Sequence, residues 1–235
     1  MAEDDLVARL DEAVGRAAAL DAPLGARLSL IADEVRALST EFAEAVDTLV
    51  ARLEGTQAGR SAPQVGEVMP PFLLPDETGR LVSLADLLAE GPAVLAFIRG
   101  HWCPYCRISG IALAEVEDAI AAEGARLAVI TPQTARHSVA QKREAGADYP
   151  ILTDMDNGYA LSINLVFWVS TEMSTLIDTA GWHIPEINSN PTWTLPIPAT
   201  FVIGQDGIIR ARYVDADYRR RMEIADLLAA VRAAR

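Results

Sequence analysis

Cysteine is nearly absent from this chain, which has 2 cysteines and 3 histidines among its 235 residues. So few cysteines cannot form the disulfide framework of a small secreted protein. The sequence also lacks any apolar run near the roughly 18 residues that a membrane span requires. Its acidic start, MAEDDLVARLDEA, lacks the basic-then-apolar order of a signal peptide. We therefore expect a cytoplasmic protein.

Positive charge is scarce as well, with 20 Lys and Arg residues against 33 Asp and Glu, and the formal net charge is −13. An acidic chain repels phosphate, so this balance argues against a nucleic acid or an anionic membrane as a partner. Hydrophobic residues make up 51% of the chain, which is ample material for a core. The length fits one large domain, or one domain with an extension.

The first part of the chain, residues 1–58, is predicted to be an N-terminal helical extension that precedes a domain over 59–235. Apolar residues between Leu24 and Leu49 recur at steps of four and three, which predicts one long helix with a continuous apolar stripe. A shorter helix precedes it. The stripe must be covered, and the pattern leaves docking within the chain and a homodimer equally open. Between the two, we predict a homodimer.

The remainder alternates short apolar runs with helical segments. AVLAFI (93–98) and RLAVIT (126–131) have the continuous apolar character of buried central strands. The segment after the cysteines predicts one helix that ends at Gly124, and the pair Asp206-Gly207 predicts a hairpin. Strands that alternate with helices predict a three-layer α/β domain around a central mixed sheet.

The two cysteines stand together in IRGHWCPYCRISG, separated by Pro104 and Tyr105. Cys103 follows the predicted strand at 93–98, and Cys106 lies in the first turn of the next helix. Unpaired N–H groups at a helix start favour an anion, and a thiolate is such an anion. We therefore predict that Cys103 is an exposed nucleophile with a lowered pKa, and that Cys106 resolves it into a disulfide.

Charge near the pair agrees with this prediction, because Arg99 and Arg107 flank the cysteines and would lower the pKa of a thiol. A zinc site is one alternative, in which the cysteines join His101 with His137 or His183. Structural zinc sites usually need a second ligand pair at regular spacing, which the sequence lacks. Two inert buried thiols are the other alternative. A redox dithiol without metal or other cofactor is favoured over both.

From about residue 65 to the end, the chain resembles the peroxiredoxin-like branch of the AhpC/TSA family, which has the thioredoxin fold. VGEVMPPFLLPDETGRLVSLADLL resembles the opening strands of that family, and FIRGHWCPYCR resembles the branch signature Arg-Gly-x-Trp-Cys-Pro-x-Cys. LAVITPQ, YPILTD and WTLPIPATFVIGQDGII continue the likeness in order. The resemblance implies a thiol-dependent antioxidant enzyme that reduces hydroperoxides.

The chain departs from the family pattern at groups that normally orient and polarise the peroxide. Typical members resemble Pro-x-x-x-Thr-x-x-Cys around the attacking thiol, where this chain has Ala96 and Gly100. They also carry an Arg before the late strand, where this chain has Pro198. Arg99 is a candidate replacement for that cation. Trp102 and the tetrapeptide Cys-Pro-Tyr-Cys instead resemble thioredoxin and glutaredoxin.

Further candidate residues lie in loops at the carboxyl side of the predicted sheet, where α/β sites gather. Thr131 and Gln133 follow a strand, and Gln133 could reach a substrate. His101 is a candidate proton shuttle, because its ordinary pKa is near 6.5. By resemblance, Ala199 takes the position of the cis-proline that thioredoxin folds carry beside the dithiol. Pro198 and Thr200 flank it and are candidate substrate-binding residues.

The segment 160–196 is an insertion that is rich in aromatic residues. It predicts either an apolar wall over the dithiol or a helix packed on the domain. We favour packing for Phe167 and Trp168, and we expect Trp193 to lie nearer the site.

Three functions remain open. The first is a thiol peroxidase, in which Cys103 attacks a hydroperoxide and Cys106 closes a disulfide. The second is a thioredoxin- or glutaredoxin-type protein disulfide oxidoreductase. The third is a non-catalytic thioredoxin-fold interaction protein. The family resemblance favours the first and the tetrapeptide favours the second. Either enzyme needs an external reductant, a thioredoxin-like protein or a low-molecular-weight thiol, and no cofactor.

Overall fold

A mixed sheet forms the centre of the computed structural model, which describes residues 3–234. The strands of the described chain are β1 (Leu73–Pro75), β2 (Leu81–Ser83), β3 (Ala93–Phe97), β4 (Arg126–Thr131), β5 (Ile151–Thr153), β6 (Val166–Trp168), β7 (Thr194–Pro196), β8 (Ala199–Ile203) and β9 (Ile209–Val214). The central sheet has the order β5-β4-β3-β8-β9. Strands β3, β4 and β5 are parallel, whereas β8 is antiparallel to both β3 and β9. The predicted α/β fold with a mixed sheet is therefore confirmed.

Helices cover this sheet. Over the same residues they are α1 (Glu3–Ala18), α2 (Leu24–Leu38), α3 (Thr40–Gly55), α4 (Leu84–Leu88), α5 (Pro104–Ala114), α6 (Glu117–Ala122), α7 (Ala135–Ala145), α8 (Gly158–Ser162), α9 (Thr171–Thr179), α10 (Ile184–Asn188) and α11 (Ile224–Ala233), with a 3₁₀ turn at Met155–Asn157. The single helix predicted from the cysteines to Gly124 is wrong, because Val116 leaves the helical conformation and separates α5 from α6. None of the helices described here is both long and apolar enough to cross a membrane.

The central strands are buried as their apolar runs predict. Every residue of β3 and of β8 is buried, as expected for strands covered on both faces. Their register pairs Phe97 with Ala199 and Ala96 with Thr200. The end of β3 therefore delivers the cysteine loop to the edge of the sheet where β8 begins.

The long N-terminal helix predicted from the apolar stripe is two helices, α2 and α3. Ser39 separates them with extended backbone angles, φ −149° and ψ 100°, and its Oγ accepts a hydrogen bond from Phe42 N at 3.1 Å. A serine in this geometry caps a helix N-terminus, which stabilises a new helix start by about 1 kcal/mol. The heptad spacing continues across the break, so periodicity alone could not reveal it.

The apolar stripe of α2 and α3 is buried within the chain. Helices α1 and α2 pack against α5, and α3 packs against α9. Leu28 and Ile31 are almost inaccessible, and the buried side chains of the extension join the core of the sheet in one continuous cluster. Burying each such side chain contributes roughly 1.5–3 kcal/mol. The stripe thus no longer argues for a homodimer, which stays a prediction.

The carboxylate of Glu223 completes the docking of α2. It accepts hydrogen bonds from Leu24 N at 3.0 Å and from Gly25 N at 2.8 Å. These are free N–H groups of the first turn, which a carboxylate stabilises through both hydrogen bonding and the helix dipole. The start of α2 is therefore attached to the segment that leads into α11.

Candidate active site

The cysteine pair lies where the motif predicts, between β3 and α5. Cys103 is the residue before the first turn of α5, with φ −89° and ψ 115°, and Pro104 occupies the first helical position. Cys106 lies in that first turn. Both thiols are free. The predicted exposure of Cys103 is wrong, because both cysteines have 0% of their surface exposed.

The side chain of Arg99 covers the sulfur of Cys103. Its Nη2 donates to Cys103 Sγ at 2.9 Å. The guanidinium lies over the ring of Tyr218, 3.4 Å from the centroid, and 5.0 Å from the ring centroid of Trp102. Trp102 is held in turn by its Nε1, which donates to the carbonyl oxygen of Arg99 at 3.2 Å. The Trp102 and Tyr218 rings thus hold the Arg99 guanidinium against the Cys103 sulfur. That Arg99 replaces the family cation stays a prediction.

Arg99 is fully buried, and no carboxylate contacts it among the described residues. Burial lowers the pKa of Arg99, but the charges of Cys103, Tyr218 and Cys106 outweigh it and raise that pKa above its ordinary value. A buried cation requires a nearby anion. The dithiol supplies that anion when it is ionised.

A second arginine, missed by the sequence analysis, contacts the other sulfur. Arg221 Nη2 lies 3.5 Å from Cys106 Sγ, and the backbone N–H of Arg99 lies 3.4 Å from the same atom. Arg107, which the sequence placed beside the cysteines, instead forms ion pairs with Glu144 and Asp11. The run Arg-Arg-Arg before α11 is the sequence signal that could have pointed to Arg221.

The pKa values of the two neighbouring thiols shift in opposite directions. Burial raises the pKa of Cys103, and the hydrogen bond that its thiol makes with Cys106 raises it further, against the effect of Arg99. Burial would also raise the pKa of Cys106, but the hydrogen bond from Cys103 and the charges of Arg221 and Arg99 hold it well below its usual range. The predicted lowering of the Cys103 pKa is therefore wrong for the pair at rest. Its sulfur makes no capping hydrogen bond to the helix start, and the proton is best treated as belonging to both sulfurs.

Gln133 and His101 support the cysteine loop instead of facing a substrate. Gln133 is fully buried, its Oε1 accepts from His101 N at 2.7 Å, and its Nε2 donates to Gln141 Oε1 at 2.8 Å. The ring of His101 lies 2.8 Å from a carboxylate oxygen of Glu144. Thr131 is buried at the end of β4. Gln133 thus holds the backbone of the cysteine loop, and Thr131 is buried in the strand that precedes Gln133.

Three other predicted site residues do not line the cavity that lies beside Arg99. Pro198 is buried just before β8, and no cis peptide bond occurs in residues 3–234. Thr200 is buried opposite Ala96 and lines a small separate cavity of about 20 Å³. Trp193 precedes β7, where its carbonyl accepts from Val169 N at 2.8 Å. Trp193 does not line the cavity that lies beside Arg99, and its nearness to the site stays a prediction.

A cavity of about 80 Å³ lies against the cover of the dithiol. Arg99, Trp102, Pro104, Tyr105 and Tyr218 form the side next to the cysteines. The opposite walls come from the extension and the insertion, and they include Val35, Phe42, Val46, Leu49, Phe167 and Trp182. The insertion thus contributes an apolar wall, and Phe167 both packs in the core, as favoured from the sequence, and lines the cavity. Trp168 instead is exposed beside Arg52.

The zinc alternative finds no ligand set in the part of the chain described. No group of three or more His, Cys, Asp or Glu side chains there could hold a metal ion. His183 Nδ1 lies 2.9 Å from Asp178 Oδ1, and His137 Nε2 accepts from Arg136 at 3.0 Å.

Comparison with known proteins agrees with this geometry. Residues 65–212, more than half of the chain, match the AhpC/TSA family model. A peroxidoxin of Mycobacterium tuberculosis, BcpB, shares 22% identity at a TM-score of 0.57, over 73% of this chain and 98% of its own. Peroxiredoxin 6 of Arenicola marina shares 18% identity at 0.56, over 72% of each chain. The bacterioferritin comigratory protein of Xanthomonas campestris shares 13% at 0.52, over 69% of this chain and 90% of its own.

A search of curated proteins found no match. At such identities the solved structures establish the thioredoxin-type fold, while the family model accounts for the larger part of the sequence. The chain therefore belongs to the AhpC/TSA family and is a thiol peroxidase or thiol–disulfide oxidoreductase.

Proposed function

We propose that the chain reduces small hydroperoxides through a dithiol/disulfide cycle of Cys103 and Cys106. The observation that carries this proposal is the complete burial of both sulfurs beside a small cavity. A disulfide on the surface of another protein would have to reach a sulfur that lies beneath Arg99, Trp102 and Tyr218. A small molecule can enter the cavity and requires only a local movement of that cover.

The shared proton supplies the reactive form. Its transfer from Cys103 to Cys106 leaves the Cys103 thiolate facing Arg99. That thiolate attacks the terminal oxygen of the hydroperoxide, the O–O bond breaks, and Cys103 becomes a sulfenic acid. The alkoxide that leaves takes the proton of Cys106 and departs as the alcohol.

The second step closes the disulfide. The Cys106 thiolate attacks the sulfenic sulfur of Cys103, the S–S bond forms, and the S–O bond breaks. Hydroxide leaves and solvent protonates it to water. The dithiol has then lost two electrons and the hydroperoxide has gained two. An external thiol returns those electrons.

Reduction of small disulfides is a second candidate, because Cys-Pro-Tyr-Cys at a helix start resembles glutaredoxin. In that reaction Cys103 attacks the substrate disulfide and Cys106 resolves the mixed disulfide. The non-catalytic alternative is set aside by membership of an enzyme family.

The external reductant is proposed from the same burial. A low-molecular-weight thiol reaches a buried disulfide more easily than a thioredoxin-like protein does. We also propose the cytoplasm as its location, because two cysteines are too few for the disulfide framework of a small secreted protein. We assign the catalytic work to 59–235 and the outer wall of the cavity to the extension 1–58, without metal or other cofactor.

Rapid mixing of the reduced protein with hydrogen peroxide, an organic hydroperoxide and a small disulfide tests the reaction. We expect either hydroperoxide to consume both thiols in a one-to-one reaction, and the disulfide to react far more slowly. Reaction with the disulfide alone would establish the second candidate instead.

The roles of the two cysteines are tested by substitution. Cys103→Ser should abolish the reaction, whereas Cys106→Ser should complete one turnover and accumulate a sulfenic acid. Mass spectrometry of the oxidised variants distinguishes these products. Loss of the first step in Cys106→Ser, with an active Cys103→Ser, would reverse the roles.

A further inference from the structure

The cycle described above gives no role to Arg221, although its guanidinium contacts Cys106. Nη2 lies 3.5 Å from Cys106 Sγ. Nη1 donates to the backbone carbonyls of Tyr218 and Arg220, the latter at 2.6 Å. Nε is buried without a hydrogen-bond partner. Backbone carbonyls therefore aim the guanidinium at the sulfur.

The neighbouring arginines are engaged differently. Arg219 forms close ion pairs with Asp217 and Asp47, at 2.8 and 2.6 Å. Arg220 is mostly exposed and lies 3.5 Å from Asp217. No carboxylate within residues 3–234 pairs with Arg221. Of this run, Arg221 is the residue whose charge is directed at the dithiol.

We propose that two arginines divide the two chemical steps: Arg99 serves the attack by Cys103, and Arg221 serves the condensation by Cys106. This inference rests on the proposed peroxidase function. In the condensation Cys106 is the nucleophile, and it must be a thiolate when the sulfenic acid forms. Arg221 acts through Cys106 as a positioning residue, because it holds that sulfur ionised and in place.

The expected effect follows from the chemistry of thiolates. The charged and titratable groups that face Cys106 in the described structure are Cys103, Arg99 and Arg221. Removal of Arg221 raises the pKa of Cys106. Where that pKa exceeds the pH, each unit of increase lowers the thiolate fraction of Cys106 tenfold. The remaining thiolate is about threefold more nucleophilic per unit. Condensation should therefore slow by about threefold per unit at low pH and show no loss at high pH.

The experiment measures the two steps separately in Arg221→Gln, with Arg220→Gln as the matched control. We expect sulfenic acid formation within about twofold of the wild type, slower condensation, and a condensation pH profile shifted to higher pH. The waiting sulfenic acid should also be oxidised further to the sulfinic acid by excess peroxide. Arg220→Gln should match the wild type in every measurement.

Additional variants keep the test decisive. Arg221→Met replaces Arg221→Gln if the latter does not fold, and Arg221→Lys should return the pH profile towards that of the wild type. An unshifted profile, or equal slowing of both steps at every pH, overturns the proposal. If the wild type does not react with peroxide, the proposed function fails. The charge effect is then read from the ultraviolet thiolate absorbance of Cys106 in a Cys103→Ser background, with and without Arg221.

Discussion

Replacement of Arg99 by methionine gives a quantitative test of the buried thiolate. Methionine keeps the apolar volume between Trp102 and Tyr218 but removes the cation. In the native chain, the guanidinium lies 2.9 Å from Cys103 Sγ with no carboxylate in contact in the described structure. The variant therefore leaves the dithiol to ionise without its nearest positive charge.

The magnitude follows from the distance and the burial. At 2.9 Å and an effective dielectric constant of about 20, the attraction between unit charges is ~6 kcal/mol. Desolvation offsets most of it, and hydrogen bonds to charged groups contribute a net of about 1.5–3 kcal/mol. We expect the second-order rate with hydroperoxide to fall about 10–100-fold in Arg99→Met, since 1.4 kcal/mol is a factor of ten.

The same substitution should change the redox equilibrium. Formation of the disulfide removes the negative charge that Arg99 pairs with, so the native cation favours the reduced form. Without it the reduction potential of the pair should fall, by about 30–60 mV for the same 1.5–3 kcal/mol in a two-electron couple. Equilibration with thiol–disulfide buffers of known potential measures this shift.

The control is Arg107→Met, because Arg107 pairs with Glu144 and Asp11 and does not contact either sulfur. Its rate and potential should stay close to those of the wild type. If folded Arg99→Met keeps the native rate, or if its potential rises, the assignment of Arg99 as the counter-ion of the thiolate is refuted.

Two further substitutions probe the frame of the site. Burial raises the pKa of Glu144, but its bonds to His101 and Arg107 outweigh this and lower the pKa to about 2. The bonds of the Glu144 carboxylate therefore contribute fully to stability above its ordinary pKa of 4.5, and this contribution is lost as the pH falls from 4.5 to about 2. Glu144→Gln should lose about 1–2 kcal/mol at neutral pH, after allowance for partial exposure. Chemical denaturation at several pH values should show the free energy of unfolding of Glu144→Gln falling less steeply in acid than that of the wild type. Parallel pH dependences of the two proteins would contradict the argument. Gly100 has φ +138°, and a Cβ there would lie 2.9 Å from Trp102 Cδ1 and 3.1 Å from Gln133 Oε1. Gly100→Ala should cost about 1–3 kcal/mol of stability, and an unchanged melting temperature would show that the loop adapts freely.

The central strands and the place of the cysteine motif could be predicted because both depend on local sequence. AVLAFI is continuous enough to identify β3, and a Pro two residues before Cys106 identifies the start of α5. These signals report which residues form an element. They do not report what covers it, and so the burial of Cys103 could not be read from the motif.

Residues that are distant in sequence account for the main errors. Arg221 is 115 positions from Cys106, and no local pattern links a basic run before α11 to a dithiol. The break at Ser39 has a local sequence signal, because serine is a strong helix N-cap. The apolar stripe continues through Ser39, however, and its periodicity predicts one unbroken helix. The cavity wall formed by Phe167 similarly depends on how the insertion meets the extension.

The late position in the chain of the segment 218–223 also determines when during synthesis the reactive pair becomes protected. Glu223 accepts hydrogen bonds from N–H groups that lie 199 and 198 positions earlier in the chain. Tyr218 and Arg221 belong to the same late segment. Arg221 is 115 positions after Cys106, and at about 5–20 residues per second the ribosome needs roughly 6–23 s to make that stretch. Cys103 and Cys106 leave the ribosome well before their cover exists. The nascent chain therefore carries an unshielded dithiol until residues 218–221 emerge, and oxidants or other thiols in the cell can reach it during that interval.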